Sequence, residues 1–224
     1  LGIRKNQAGI TDDLSKTVDY SKVYNLVVDI FTKNTYKLIE TLAEKISQKL
    51  LSFDNVENVK VKIRKPSVPI NGQLDFVEIE INRWILTGFI SLGSNLGNRS
   101  ANLIDTLSLI REKGVKIEKV SGVYETSPMY KLNQNRFYNQ VAKVNSNYEP
   151  DELLNCFKKI ECDMGRDLNS KRYSERIIDI DILTYGEIIL ESKNLHIPHL
   201  LLHERLFVLV PWNEIASNYI VPKY

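Results

Sequence analysis

Long apolar runs are missing from this sequence. No stretch reaches the roughly 20 apolar residues that a helix needs to span a bilayer, so no membrane partner is expected. A signal-peptide pattern is missing too, since the chain opens on Leu1-Gly2-Ile3-Arg4-Lys5. Cysteine is scarce. Cys156 and Cys162 fall in one predicted helix, offer no disulfide framework, and point to a reducing compartment: the cytoplasm, or a mitochondrion in a eukaryotic source. Charge of one sign is not in excess, with 30 Lys and Arg against 28 Asp and Glu and a net charge of +2. No nucleic-acid partner is expected from so weak a field, although local basic patches remain open. Internal repeats and low-complexity tracts are absent as well.

What remains is an ordinary globular composition, 43% hydrophobic and 26% charged, over 224 residues, enough for one large or two small domains. Residues 1–4 read as the end of a strand, which leads us to expect more polypeptide upstream. Thr11-Asp12-Asp13 reads as a polar loop. The spacing then predicts a helix over about 20–33, with Val23, Leu26, Val27 and Ile30 on one face. A second helix is predicted over about 36–52, with Leu38, Ile39, Leu42, Ile46 and Leu50 as its stripe. Alternation predicts strands at 56–65 (Val59, Val61 and Ile63 inward) and 76–81, separated by Pro66 and a turn at Pro69-Ile70-Asn71-Gly72. This first domain, residues 1–82, is an antiparallel sheet with two helices on one face. Residues 83–86 form a short joint.

The second domain, residues 87–224, begins with a strand at 87–92 and a turn at 93–98. A helix follows at about 100–113, then strands near 115–125 and 137–146, and a helix at about 150–164. A basic loop, a strand from 176 to about 190 and a short helix near 203–206 complete it. The β-α-β-β-α-β order is that of a ferredoxin-like sandwich, and the chain as a whole reads as α+β.

Chemistry concentrates in Arg176-Ile177-Ile178-Asp179-Ile180-Asp181-Ile182-Leu183. The period of two places Asp179 and Asp181 side by side on one face of a strand. Neighbouring carboxylates repel unless a cation lies between them, and Mg²⁺ takes one or two carboxylates plus substrate phosphates. An isolated Asp-x-Asp is more often a solvated strand face with a few Arg salt bridges. The preceding Arg166, Lys171, Arg172 and Arg176 shift that balance, because phosphate oxygens need cationic partners.

Other motifs are weaker. Gly93-Ser94-Asn95-Leu96-Gly97 joins a strand to a helix but lacks the lysine and spacing of a phosphate loop, so it reads as a structural turn. A polar loop at 127–136 separates Thr126-Ser127-Pro128 from Phe137-Tyr138-Asn139. An aromatic beside an Asn suits a flat heteroaromatic ring, although Phe137 alone reads as core. His196, His199 and His203 are split by Pro198, so no zinc site is expected; His199 and Arg205 serve better as anion contacts. Gly165 reads as a helix C-cap, and Arg166 after it as a helix-end charge or a phosphate ligand.

These residues carry a family resemblance. Residues 89–217 resemble 6-hydroxymethyl-7,8-dihydropterin pyrophosphokinase of folate biosynthesis, through Ile90 to Gly97, Tyr124 to Pro128, Phe137-Tyr138-Asn139, Ile160-Glu161 with Gly165-Arg166, Arg176 to Leu183, Ile197-Pro198-His199 and Glu204 to Leu209. Residues 1–82 resemble the later part of dihydroneopterin aldolase, a T-fold whose opening strand is not in the chain. The pieces are Thr11 to Leu14, Thr17 to Tyr20, Leu38 to Glu44, Val61 to Pro66, and Pro69-Ile70 with Gly72 and Asp75. Such fusions occur in this pathway, sometimes with further folate-pathway domains in the same polypeptide.

The resemblance implies transfer of pyrophosphate from ATP to the pterin hydroxymethyl oxygen, with release of AMP. Two Mg²⁺ ions, and no organic cofactor, would be held by Asp179 and Asp181. Arg166 and Arg176 would be catalytic. Glu161, Ile182, His199 and Arg205 would bind ATP. Gly93, Thr126, Ser127, Pro128, Phe137, Asn139, Tyr173 and Phe207 would bind the dihydropterin. In the aldolase-like part, Glu40 would bind pterin, while Tyr20 and Lys65 would move protons. Aldolases of this kind form rings, which implies a homo-oligomer through the first domain. The chain departs from the family pattern at Leu168, at Tyr173-Ser174-Glu175-Arg176 (usually Trp-Gly-Pro-Arg) and at Asn194. Those departures support a second reading, a pterin- and nucleotide-binding scaffold with weakened chemistry. A third, an RNA-binding ferredoxin-like module, conflicts with the acidic pair on the strand.

Overall fold

The computed structural model describes residues 1–3, 8–66, 69, 71–129, 133–166 and 174–222. Arg4, Leu168, Lys171, Arg172 and Tyr173, all singled out above, lie outside the described residues. The chain separates into two compact units, Leu1–Ile85 and Leu86–Tyr224. The stretch read as a joint is occupied by the end of one strand and the start of the next. Among the described residues no helix is long and apolar enough to cross a membrane.

In the first unit, strands β1 (Gly2–Ile3), β2 (Val56–Lys65) and β3 (Val77–Trp84) form an antiparallel sheet in that order. Helix α1 (Ala8–Thr11) and a 3₁₀ turn at Leu14–Lys16 occupy ground read as loop. Helix α2 (Tyr20–Lys33) starts where the Asp19 carboxylate accepts from the backbone of Ser21 and Lys22. Helix α3 (Ile39–Leu51) lays Leu42, Ile46 and Leu50 on Val56, Val59 and Val61. It starts at Ile39, so Leu38 is the exposed residue before its first turn and lies off the stripe. The opposite sheet face is a ladder of ion pairs, among them Lys60–Glu80 at 2.9 Å and Lys62–Glu80 at 2.7 Å.

The second unit follows the expected topology. Strands β4 (Leu86–Ser94), β5 (Lys116–Val120), β7 (Phe137–Ser146) and β8 (Asp179–Tyr185) form a fully antiparallel sheet in the order β5-β7-β4-β8. Helices α4 (Arg99–Glu112) and α5 (Pro150–Asp163) cover one face. Ile90, Leu92, Val144, Ile180 and Ile182 point into that core with Leu103, Ile110, Leu153 and Phe157.

Three expectations shift here. The strand near 115–125 is two strands, β5 and β6 (Tyr124–Thr126), because the Ser121 hydroxyl takes over the hydrogen bond from Val141 N and breaks the ladder. The acidic strand is shorter than 176–190. It ends at Tyr185, before Gly186 at φ +56°, and β9 (Leu190–Glu191) pairs instead with β10 (His196–Ile197). The short helix near 203–206 is a 3₁₀ turn at Leu202–Glu204, followed by the unforeseen helix α6 (Leu206–Ala216). Nearly apolar throughout and interrupted by Pro211, α6 has no amphipathic signature. It covers the second sheet face through Val208, Trp212 and Ile215, packed on Phe89, Val141 and Leu183.

Close approach of β8 to β4 depends on Gly88. A Cβ there would lie 2.6 Å from the Thr184 carbonyl oxygen and 2.9 Å from the Tyr185 ring. Gly88→Ala should therefore lower stability by about 1–3 kcal/mol through overpacking. A urea melt followed by circular dichroism reads this; an unmoved midpoint would refute so tight a strand contact.

Candidate active site

Helix α6 covers only part of its sheet face. On β4 that face carries Phe89, Ser91 and Gly93, alternating with the core residues Ile90 and Leu92. Phe89 lies under α6. Further along, pairing sets Gly93 opposite Asn139 of β7 on one side and opposite Asp179 of β8 on the other. Ser91 faces Asp181 in the same way. Tyr124 of β6 extends the row beyond Asn139. One line across the sheet thus joins the expected pterin contacts to the expected metal ligands.

Asp179 and Asp181 share a face, while Ile180 and Ile182 between and after them enter the core. Each acid meets guanidinium. Asp179 Oδ1 lies 2.5 Å from Arg166 Nη1 and Oδ2 lies 2.6 Å from Arg176 Nη1. Asp181 Oδ2 lies 2.9 Å from Arg205 Nη1 and 3.9 Å from His199 Nε2. Burial pushes the Asp179 carboxyl up, but Arg176 and Arg166 outweigh it and hold the group below the usual carboxylate range. Burial and Arg205 together lower the His199 imidazole against the pull of Asp181, which favours the neutral ring. Its Nδ1 accepts from Leu201 N at 3.2 Å.

Beneath this row sits Glu161, with 0% exposure. Its Oε1 accepts from Ile180 N at 2.7 Å, and its Oε2 lies 2.7 Å from Arg166 Nη1. Lys158, one turn earlier on α5, reaches both of its oxygens at 3.0 Å. Burial raises the Glu161 carboxyl above its usual value, with Lys158 the chief opposing influence. Glu161 therefore fixes the strand and an arginine instead of lining the open face. Ile182 is likewise packed in the core at 3% exposure, in the ladder opposite Ile90.

The pterin candidates gather at the other end of the row. Asn139 is buried and donates to Thr126 Oγ1 at 2.8 Å. A Cβ on Gly93 would sit 3.3 Å from Asn139 Oδ1 and 3.9 Å from the Phe137 ring, so the glycine keeps this floor open. The Arg176 guanidinium lies 5.9 Å from the Phe137 ring centre, and that of Arg205 lies 5.7 Å from the ring of Phe207. Pro128 is buried and Ser127 exposed. In the first unit, Tyr20 is 70% exposed, Glu40 and Lys65 are exposed, and among the described residues no hydrogen bond or ion pair connects the three.

Sequence reasoning passed over Asn95, which is 1% exposed. Its Oδ1 accepts from Arg176 N at 2.8 Å, and its Nδ2 reaches Gln134 Oε1 and Asn135 O, both at 3.4 Å. Nothing in a Gly-Ser-Asn turn signals such a hub. Lys158 was visible as an i, i+3 partner of Glu161 on a predicted helix.

Comparison with known proteins places this geometry. Residues 89–217 match the family of 7,8-dihydro-6-hydroxymethylpterin-pyrophosphokinase, and residues 1–82 match dihydroneopterin aldolase. Folic acid synthesis protein FOL1 of Dictyostelium discoideum is 32% identical over 97% of this chain and 37% of its own length. The 2-amino-4-hydroxy-6-hydroxymethyldihydropteridine pyrophosphokinase of Haemophilus influenzae is 36% identical over 62% of this chain and 86% of its own length. A crystal structure of Plasmodium falciparum HPPK-DHPS with pteroate, 18% identical, superposes with a TM-score of 0.50 over 62% of this chain and 40% of that one, a likeness of fold. This chain spans 37% and 30% of the first two folic acid synthesis relatives. With a dihydroneopterin aldolase domain matched at residues 1–82, the chain belongs, through residues 89–217, to the 7,8-dihydro-6-hydroxymethylpterin-pyrophosphokinase family.

Proposed function

We propose that the second unit transfers the terminal pyrophosphoryl group of ATP to the hydroxymethyl oxygen of a 7,8-dihydropterin, releasing AMP. The observation that carries this reading is the acid pair ringed by arginines at one end of a row whose other end is Gly93, Asn139 and Phe137. Members of the family use ATP with Mg²⁺. The residues fit that ion: two carboxylates on one strand face offer hard oxygen ligands, and substrate phosphates complete the set. Among the described residues no cluster of three His, Cys, Asp or Glu is present, and substrate oxygens and water would complete the shell of an ion held by the two carboxylates. When bound, Mg²⁺ supplies Lewis-acid neutralisation of the triphosphate.

The chain's own residues do the rest. Arg166, Arg176, Arg205 and Lys158 face Asp179, Asp181 and Glu161, an excess of one positive charge that attracts a polyanion. Among the described residues the buried Nε atoms of Arg176 and Arg205 meet no acceptor, which makes them candidate donors for phosphate oxygens. Moving from carboxylate to phosphate, these guanidinium groups would stabilise charge that builds on the transferring group. Phe137 and Phe207 would hold the pterin ring by its faces, with Asn139 and Thr126 at its polar edge. Because Nδ1 accepts from Leu201 N, the neutral His199 ring carries its proton on Nε2 and can donate it to a phosphate oxygen, so we give it a contact role and no proton transfer.

The family match at residues 1–82 supports a second activity, cleavage of dihydroneopterin to the hydroxymethyl pterin and glycolaldehyde. Tyr20, Glu40 and Lys65 are exposed and unconnected, so such a site calls for groups from a second copy, a homo-oligomer through the first unit. Further folate-pathway domains in the natural polypeptide fit the length of the relatives.

Mixing the protein with ATP, Mg²⁺ and 6-hydroxymethyl-7,8-dihydropterin should yield AMP and a pyrophosphorylated pterin. Nucleotide binding without AMP would favour the weakened scaffold. Asp179→Ala and Asp181→Ala should abolish turnover, and Arg176→Ala should cost roughly 10²–10³-fold in kcat; full activity in either acid variant would sink the metal role. Chelation with EDTA should stop AMP release and added Mg²⁺ restore it, whereas persistence in chelator would exclude the ion. For the first unit, dihydroneopterin should be consumed only at protein concentrations where sedimentation shows an oligomer; cleavage by a monomer would overturn the shared-site reading.

A further inference from the structure

We propose that Glu175 is a positioning residue that laces the substrate loop ending at Arg136 to the segment carrying Arg176, acting as a hydrogen-bond acceptor and not through its charge. The inference rests on the transfer reaction above for its kinetic consequence, and on geometry for the tie itself. Glu175 Oε1 accepts from Asn135 N at 3.2 Å. The carbonyl of Asn135 accepts from Asn95 Nδ2 at 3.4 Å, so the backbone of this one residue is held at both its N–H and its C=O. The same asparagine also holds Arg176: Arg176 N donates to Asn95 Oδ1 at 2.8 Å, and Asn95 N donates to the Arg176 carbonyl at 3.2 Å. Gln134, Asn135 and Arg176 are thus all bonded to Asn95, a nearly inaccessible residue just past β4, and Glu175 adds a tie from the Arg176 segment to Asn135.

Two working groups hang from this knot. Arg176 Nη1 reaches Asp179 Oδ2 at 2.6 Å, and Phe137 stands two residues beyond Asn135 with the Arg176 guanidinium 5.9 Å from its ring centre. Slack at Asn135 would pass to the aromatic face two residues on, while Arg176 keeps its own two bonds to Asn95. Glu175 is exposed, so its contribution is that of one solvent-facing hydrogen bond, not a fold-stabilising contact. A proline at this position, usual in the resembled family, has no acceptor side chain; this chain reaches loop order by a different route.

The test uses the full chain with Glu175→Ala and Glu175→Gln. The glutamine keeps an Oε1 acceptor and removes the charge. Amide exchange of the 133–136 segment, read by mass spectrometry without substrates, should speed up about 3- to 10-fold in Glu175→Ala and stay near the parent in Glu175→Gln. The KM for the dihydropterin should follow the same pattern, rising about 3- to 10-fold in Glu175→Ala with kcat within about twofold, and recovering in Glu175→Gln. Exchange unchanged in Glu175→Ala, or a glutamine variant that behaves like alanine with its main effect on the KM for ATP, would overturn the proposal in favour of a charge effect. Exchange needs no turnover, so an inert parent protein would count against pyrophosphoryl transfer while leaving the tie to be judged by exchange alone.

Discussion

The second unit is organised around the pairing of Asp179 with two arginines over a buried glutamate. Arg166 Nη1 touches both Glu161 and Asp179, and Arg176 closes the other oxygen of Asp179. Taking such charges out of water is expensive, and removing one partner from a buried pair costs about 3–5 kcal/mol because the other is left unpaired. The cluster therefore holds its shape only while every member is present. Glu161 adds a structural bond, since it accepts from the backbone of Ile180 between the two acids. The strand that carries the acids is thus held from below by a group that never reaches the surface.

That cluster becomes a site because the covering layer is incomplete. Helix α6 seals Phe89, Val141 and Leu183 but leaves the Ser91 and Gly93 end of the same face uncovered by its apolar cluster. Strand register does the remaining work. Tyr124, Asn139, Gly93 and Asp179 are successive partners across four strands, so a flat ring at one end and a phosphate chain at the other can lie along one line. Gly93 is the joint in that line, where a side chain would crowd Asn139 and Phe137.

Much of this was legible from the residues alone, for definite reasons. Alternation in Ile178 to Leu183 fixes which side chains share a face, and strand geometry admits no other arrangement of Asp179 and Asp181. Apolar stripes located α2, α3 and α4, and the Glu149-Pro150-Asp151 start located α5. Helix α6 escaped, since a segment apolar on all sides with Pro211 inside carries no periodic signal. The split of β5 from β6 escaped because a single hydroxyl, that of Ser121, replaces a backbone partner. Glu161 was read as an ATP contact through the family resemblance; the Arg166 and Ile180 N that meet it come from other segments and show only after folding. The aldolase-like candidates Tyr20, Glu40 and Lys65 lie on three different elements, and local pattern says nothing of whether those elements bring them together.

Departures from the family pattern are best weighed by where the side chain goes. Glu175 looked like an unwelcome negative charge near phosphates. Its carboxylate instead accepts a backbone hydrogen bond from the neighbouring loop, so its charge is turned toward a peptide dipole. A proline gains order by restricting its own backbone, whereas a hydrogen bond to another loop gains order only while that loop is in place. The second device makes two loops depend on each other, and through Arg176 it makes the acid pair depend on both.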